Sequence, residues 1–366
     1  MKKSLLFLAT ATIMVGCSSN EVLNEIAEKP IGFTKVYIEN GTKAITPGAY
    51  TTDNFETVGN TFGVFGYKQT DTQTDALLFD NQAVIYQENL STDAGYNATT
   101  DWAYSPIKYW DKEANAYNFY AYAPHDGDFT GTAELASQSE TAFSISGFQQ
   151  SHTQSTMIDL MTDLTSKKSV TGNAIGQNDV AFVFTHILSN INVEMAVSPT
   201  LKADNTANPV TIVSISLGEI KMDGSYAYAT SAYAWTLAAS STTATFAGTQ
   251  SGTSPNQYVF ASDALNASNA ASNAFTAVPA LTDLLFVPQT VDNGYEFTIQ
   301  YKIGTEVFDK TIPLSEFHNS SNQTLASWNS GYKYIYRIVI GPTPILFDLS
   351  GVSDWSDGGI YTYTVE

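Results

Sequence analysis

The sequence is poor in the residues that carry most enzyme chemistry. A single cysteine, Cys17, in 366 residues excludes an intramolecular disulfide. The fold is therefore held by packing, or by strands supplied from another chain. The histidines, His125, His152, His186 and His318, are scattered. No G-x-S-x-G, H-E-x-x-H or phosphate-binding glycine loop occurs. Asp126 and Asp128 lack the ligand count that calcium requires and read as a solvated turn. His186 stands in an apolar alternation and reads as a packed histidine. We assign no catalytic residue, no metal site and no cofactor, and read the chain as a non-enzyme.

Positive charge is also scarce. Lys and Arg number 16 against 36 Asp and Glu, a net charge of −20, and Arg337 is the only arginine. Nucleic-acid binding needs a basic face, so a nucleic-acid partner is excluded. Residues 1–43 hold five Lys and four Glu, so the chain without them would carry −21. The acidity belongs to the body of the protein, where it favours solubility and opposes unspecific association. Charged residues make up only 14%, against about 25% in an average domain, and good helix formers are correspondingly few. Polarity comes instead from Thr, Ser, Asn and Gln. With 21 Tyr and 20 Phe, that composition favours strands.

The first 16 residues are a leader rather than fold. Lys2 and Lys3 precede the apolar run Ser4–Val15, which is too short for a comfortable membrane span. It leads into Met14-Val15-Gly16-Cys17, a small residue before a cysteine, as in bacterial lipoprotein signals. Cys17 is then the acylated first residue, and the membrane is reached only through this lipid. A plain secretory signal with a chance cysteine is the alternative. In residues 30–43, Ile31 and Phe33 alternate, and Val36 and Ile38 continue on the opposite parity, a switch that fits a bulge. Asn40-Gly41-Thr42 is a turn signal, followed by Lys43-Ala44.

Strand-like runs fill the body, at 61–67, 77–87, 116–124, 180–197, 209–230, 284–290, 295–303 and 332–340, and 102–110 is dense in aromatics around Pro106. Asp80-Asn81 reads as a turn, Asp223-Gly224 as a hairpin, and residues 313–317 as the start of a short helix. The polar stretch 166–179 reads as an inter-domain link. Many short strands and a length suited to two domains predict an all-β protein of two sandwiches. The expected division is leader 1–16, a removable N-terminal segment 17–43, a first sandwich 44–176, a second sandwich 177–340 and a tail 341–366. The tail alternates Ile345, Phe347 and Leu349, continues with Val352 and Trp355, and ends on Tyr361, Tyr363 and Val365. It reads as two short strands free to add to another sheet, or as strands that close the second sandwich's own sheet.

Several motifs in order are similar to the fimbrillin family of Bacteroidota surface fibres. They are Trp102-Ala103-Tyr104-Ser105-Pro106, Tyr109-Trp110, the run Tyr117–Pro124, Asp159-Leu160-Met161, Val180-x-Phe182-x-Phe184-x-His186, Phe286-Val287-Pro288-Gln289 and Tyr332-x-Tyr334-x-Tyr336. The resemblance covers Cys17 to the C-terminus and implies a subunit of a type V pilus. It implies two tandem transthyretin-like β-sandwiches with a C-terminal donor-strand extension, and a lipoprotein precursor at the outer membrane that matures into an extracellular fimbria at the bacterial surface. It implies a trypsin-like maturation protease cutting after a basic residue, here Lys43 where relatives often have arginine. The segment with Ile31, Phe33, Val36 and Ile38 would then leave, and the tail of another copy or a sibling anchor or tip pilin would replace it. Adhesion to host or bacterial surface receptors would follow. A tip adhesin of the same fimbria, or a non-polymerising surface glycan-binding lipoprotein, remains open.

Overall fold

The computed structural model describes residues 29–34, 36–38, 55–72, 76–87, 102–198, 210–239, 242–246, 258–259, 276–277, 282–291, 294–318, 323–341 and 356–361. These residues form strands and turns with short 3₁₀ pieces, an all-β fold. The largest sheet has seven strands: β1 (Tyr37–Ile38), β2 (Thr61–Gln69), β3 (Ala76–Tyr86), β4 (Trp102–Ala103), β5 (Ala116–Ala123), β8 (Met161–Thr171) and β9 (Val183–His186). Their order is β1-β9-β8-β5-β2-β3-β4, with β1 parallel to β9 and the others antiparallel.

A four-stranded sheet contains β6 (Thr130–Leu135), β7 (Phe143–Gln149), β12 (Asp223–Ala229) and β13 (Ala232–Leu237), in the order β13-β12-β7-β6. Two five-stranded sheets follow. One joins β10 (Ser189–Val197), β16 (Thr276–Ala277), β17 (Leu284–Phe286), β22 (Tyr332–Ile340) and β23 (Ser356–Tyr361). The other joins β11 (Val210–Ile220), β14 (Thr242–Phe246), β15 (Tyr258–Val259), β19 (Glu296–Ile303) and β20 (Glu306–Pro313). β18 (Gln289–Thr290) and β21 (Ser327–Trp328) form a small pair.

Both faces of the seven-stranded sheet are covered, and every residue of β5 is buried. Tyr117, Phe119, Ala121 and Ala123 point into an N-terminal core, while Tyr120 and Tyr122 point into a larger core that continues to Ile340. This is the period-two side-chain alternation of a strand with two apolar layers. Gly63 of β2 permits it: a Cβ there would lie 2.2 Å from the Tyr122 ring.

Several sequence readings change. Residues 166–179 do not form a free linker, because β8 runs to Thr171 within the large sheet. The expected boundary at 176/177 falls inside that sheet, since β9 pairs with β8 and β1. Residues 180–197 are two strands in two sheets rather than one. Val180, Phe182 and Phe184 enter the N-terminal core, and Ile191, Val193 and Met195 enter the other. Asp223-Gly224 is no hairpin turn: the preceding strand belongs to a different sheet, and the turn after β12 is at Thr230, with φ of 57°. Gly224 instead lets Trp235 and Thr236 approach closely. Asp80-Asn81 is a bulge within β3, where Asn81 adopts φ of 47°, a conformation Asn tolerates. The expected short helix near 313–317 is the 3₁₀ turn Leu314–Glu316.

Candidate functional site

The N-terminal segment 29–38 lies between the two ends of the seven-stranded sheet. Phe33 makes a parallel bridge to Val180, before β9, and an antiparallel bridge to Trp102 of β4. Pro30 bridges to Tyr109. The segment thus joins the β9 side to the β4 side and closes the curled sheet on itself. Its backbone is held on both sides. Ile31 N–H donates to the Lys108 carbonyl at 2.8 Å, and Trp110 N–H donates to the Lys29 carbonyl at 3.0 Å. On the other flank, Thr34 N–H donates to Val180, Val180 N–H to Gly32 and Tyr37 N–H to Phe182, at 2.8–3.0 Å. The Lys29 ammonium reaches the Gln177 carbonyl and stands 3.7 Å from Asp179.

All four apolar residues expected to form the removable strand are buried: Ile31, Phe33 and Val36 fully, and Ile38 at 5% exposure. The parity switch has a structural cause. Phe33 to Tyr37 spans four residues, whereas their partners Val180 to Val183 span three. The extra residue shifts the alternation, so Ile31 and Phe33 point inward before it and Val36 and Ile38 after it. Tyr37, between the last two, is 49% exposed. Among the described residues of this segment, Tyr37–Ile38 forms the continuous ladder.

Phe33 occupies the centre of the N-terminal core. Its ring meets those of Phe62, Phe79, Tyr104, Phe119 and Phe182, with centroids 5.4–6.3 Å apart. The buried Tyr104 hydroxyl donates to the Ile31 carbonyl at 2.7 Å, and burial pushes its pKa up to about 12. Burying the four apolar side chains stabilises the domain by at most about 6–12 kcal/mol. That equals much of the roughly 5–15 kcal/mol net stability of a typical domain. A domain without this segment would lose that stabilisation and uncover the aromatic rings around Phe33.

The sequence marked the inward side chains of segment 29–38 but not the walls that hold them. The stretch 102–110 forms one wall and 180–184 the other, and the aromatic density there is the signal that marks them. Most of that density serves packing: Trp102, Tyr104, Trp110, Tyr117, Phe119 and Tyr122 are buried, while Tyr109 is 46% exposed. His186 is the packed histidine expected, with Nδ1 2.9 Å from Oδ1 of the buried Asp159. Asp126 is tied into a turn by Asn81 and the Ala133 amide. No cluster of metal-binding side chains occurs among the described residues, and no helix among them is long and apolar enough to cross a membrane.

The remaining candidate residues divide. Cys17, Lys43, Ala44, Ile345, Phe347, Leu349, Val352, Trp355, Tyr363 and Val365 lie outside the described residues. Tyr361 ends β23, which pairs in parallel with β22 from Tyr332↔Ser356 to Tyr336↔Tyr361. This part of the tail therefore sits on the edge of the chain's own sheet.

The chain is 26% identical over 388 aligned positions to fimbrium subunit Fim1C of Phocaeicola vulgatus, covering 98% of each protein. Among solved structures, it is similar to a candidate cell-adhesion protein of Bacteroides uniformis, at 15% identity and a TM-score of 0.48, over 91% of this chain and 99% of that one. It is also similar to a fimbrial assembly protein of Parabacteroides distasonis, at 10% identity and a TM-score of 0.35, over 86% and 93%. The sequence profile of the fimbrillin-like family matches residues 42–355. The chain belongs to the fimbrillin-like family.

Proposed function

We propose that this protein is a structural subunit of a surface fimbria, exported as a lipoprotein on Cys17, cut after Lys43, and polymerised by strand exchange in support of adhesion. The observation that carries this reading is the position of residues 29–38. They fill the heart of a core yet enter it from the chain's beginning, on the N-terminal side of the candidate cut. A cut between Lys43 and Ala44 severs the segment's only covalent tie to the domain it completes. The segment then leaves by breaking hydrogen bonds and apolar contacts alone. The socket it vacates is lined by Phe62, Phe79, Trp102, Tyr104, Phe119 and Phe182. Its flanks offer backbone partners on both sides, at Lys108 and Val180.

The incoming strand is the tail of another copy or of a sibling anchor or tip pilin, with Ile345 and Phe347 taking the places of Ile31 and Phe33. In the free subunit, β23 has one strand neighbour, β22, among the described residues, so its release disrupts a single edge ladder. A trypsin-like protease that accepts lysine is the maturation partner. The precursor is placed at the outer membrane by its lipid, and the mature form in the extracellular fimbria, where surface receptors are met.

The test is the N-terminus of surface-purified protein, combined with electron microscopy. Ala44 as first residue in filaments of heat-sensitive oligomers supports the subunit reading. An acylated Cys17 on a monomer refutes it. Replacing Ile345 and Phe347 with Asp should leave a folded monomer that forms no filaments.

A further inference from the structure

The chain carries −20, yet from Gly224 to Ser262 it has 39 consecutive residues without one Asp, Glu, Lys or Arg. This stretch contributes the edge strand of two different sheets, β13 and β14. The opposite edges of these two sheets are guarded. β6 carries Glu134 and a register shift, and β20 carries Glu306, Asp309 and Lys310. Charges and bulges on edges are the usual protection against pairing with another chain, and β13 has neither.

The geometry of β13 suits an incoming strand. Its antiparallel ladder with β12 is unbroken from Gly224↔Leu237 to Ala229↔Ala232. The bond from Ala238 N–H to the Asp223 carbonyl sets the phase of that ladder. The backbone groups of Trp235 and Leu237 therefore face away from β12, and among the described residues no strand pairs with that side. Ala232, Ala234 and Thr236 are exposed on one face and too small to obstruct approach. Trp235 is fixed on the other face by its indole N–H, which donates to the Ile187 carbonyl at 2.7 Å.

We propose that β13 is a docking edge for a second copy of this chain, pairing antiparallel across a two-fold axis so that one sheet continues through both molecules. Charge decides the occupant. Two copies, each at −20, repel at nearly every approach, and the long neutral stretch is where that repulsion is least. A basic partner would instead be drawn to the acidic surface elsewhere. A two-fold centred on Ala234 sets Ala234 opposite Ala234 and Ala232 opposite Thr236, small neutral residues with no like charges to separate. The contact is lateral and involves neither the N-terminal segment nor the tail, so it stands apart from the proposed strand exchange.

The full-length protein with Ala234→Cys, compared with Thr305→Cys at the tip of the β19–β20 hairpin, tests this directly. The native chain contributes only Cys17 and serves as the third sample. Mild oxidation should give a covalent dimer through position 234 and none through 305. By sedimentation, the native chain should self-associate, more strongly as salt screens the repulsion. Ala234→Lys should weaken that association by about tenfold or more, while circular dichroism stays unchanged. Equal crosslinking at both sites, association that salt weakens, or Ala234→Lys dimerising like the native chain would each overturn the proposal. So would a strict monomer over about two decades of concentration, including one that binds a neutral polysaccharide at this hairpin.

Discussion

Replacing Phe33 with Ala tests whether the N-terminal segment is structural filling or a loose leader. The ring is fully buried and touches Phe62, Phe79, Tyr104, Phe119 and Phe182. Truncating such a ring costs about 3–5 kcal/mol, combining lost transfer energy with the cavity left behind. With a urea dependence of roughly 2 kcal/mol/M, the midpoint for the N-terminal core should fall by about 2 M. Tyr37→Ala is the internal control: same segment, half-exposed side chain, and an expected cost of about 0.5 kcal/mol or less. Unfolding of the uncut precursor should be followed by fluorescence, because Trp102 and Trp110 both lie in this core. Hydrogen exchange at the Ile31, Thr34 and Val180 amides, all bonded across the segment's borders, gives a second readout. A midpoint change for Phe33→Ala as small as that for Tyr37→Ala would refute the placement of Phe33 at the core.

Other outcomes are expected. Tyr104 has a folded pKa of about 12 against 10.0 unfolded. Its contribution is intact below pH 10 and lost as pH rises toward 12, because the unfolded chain ionises first. This loss is at most about 2–3 kcal/mol, and Tyr104→Phe should flatten the alkaline fall in a stability-against-pH series. Gly63→Ala should cost about 1–3 kcal/mol by forcing the Tyr122 ring aside, measurable as a lower melting temperature. His186→Ala, which removes a buried partner of Asp159, should cost on the order of 3 kcal/mol, read by urea unfolding. Lys43→Gln should leave the precursor uncut on immunoblots of cell-surface fractions, while Lys29→Gln should not.

The sequence by itself determined the class of fold and much of the core. Aromatic and β-branched alternation is a local property, so β2, β5, β19 and β22 were legible as strands without knowing their neighbours. The inward set Ile31, Phe33, Val36 and Ile38 was legible too, down to the parity switch, because side chains alternate along any strand whatever it pairs with. Partnership was not legible. Alternation does not say which sheet a strand joins, and the run 180–197 changes sheets with no break in its apolar pattern. Asp223-Gly224 carried a hairpin signal, but only the packing of Trp235 shows that the glycine serves close approach. The link expected at 166–179 failed for a related reason: polar residues suit a strand whose ladder bonds supply the order that its side chains do not. Tertiary structure alone decided that segment 29–38 stands between 102–110 and 180–184, closing a sheet whose two ends are far apart in sequence. That closure rests on hydrogen bonds to Lys108 and Val180, partners separated by 72 residues of chain, and no local pattern encodes such a meeting.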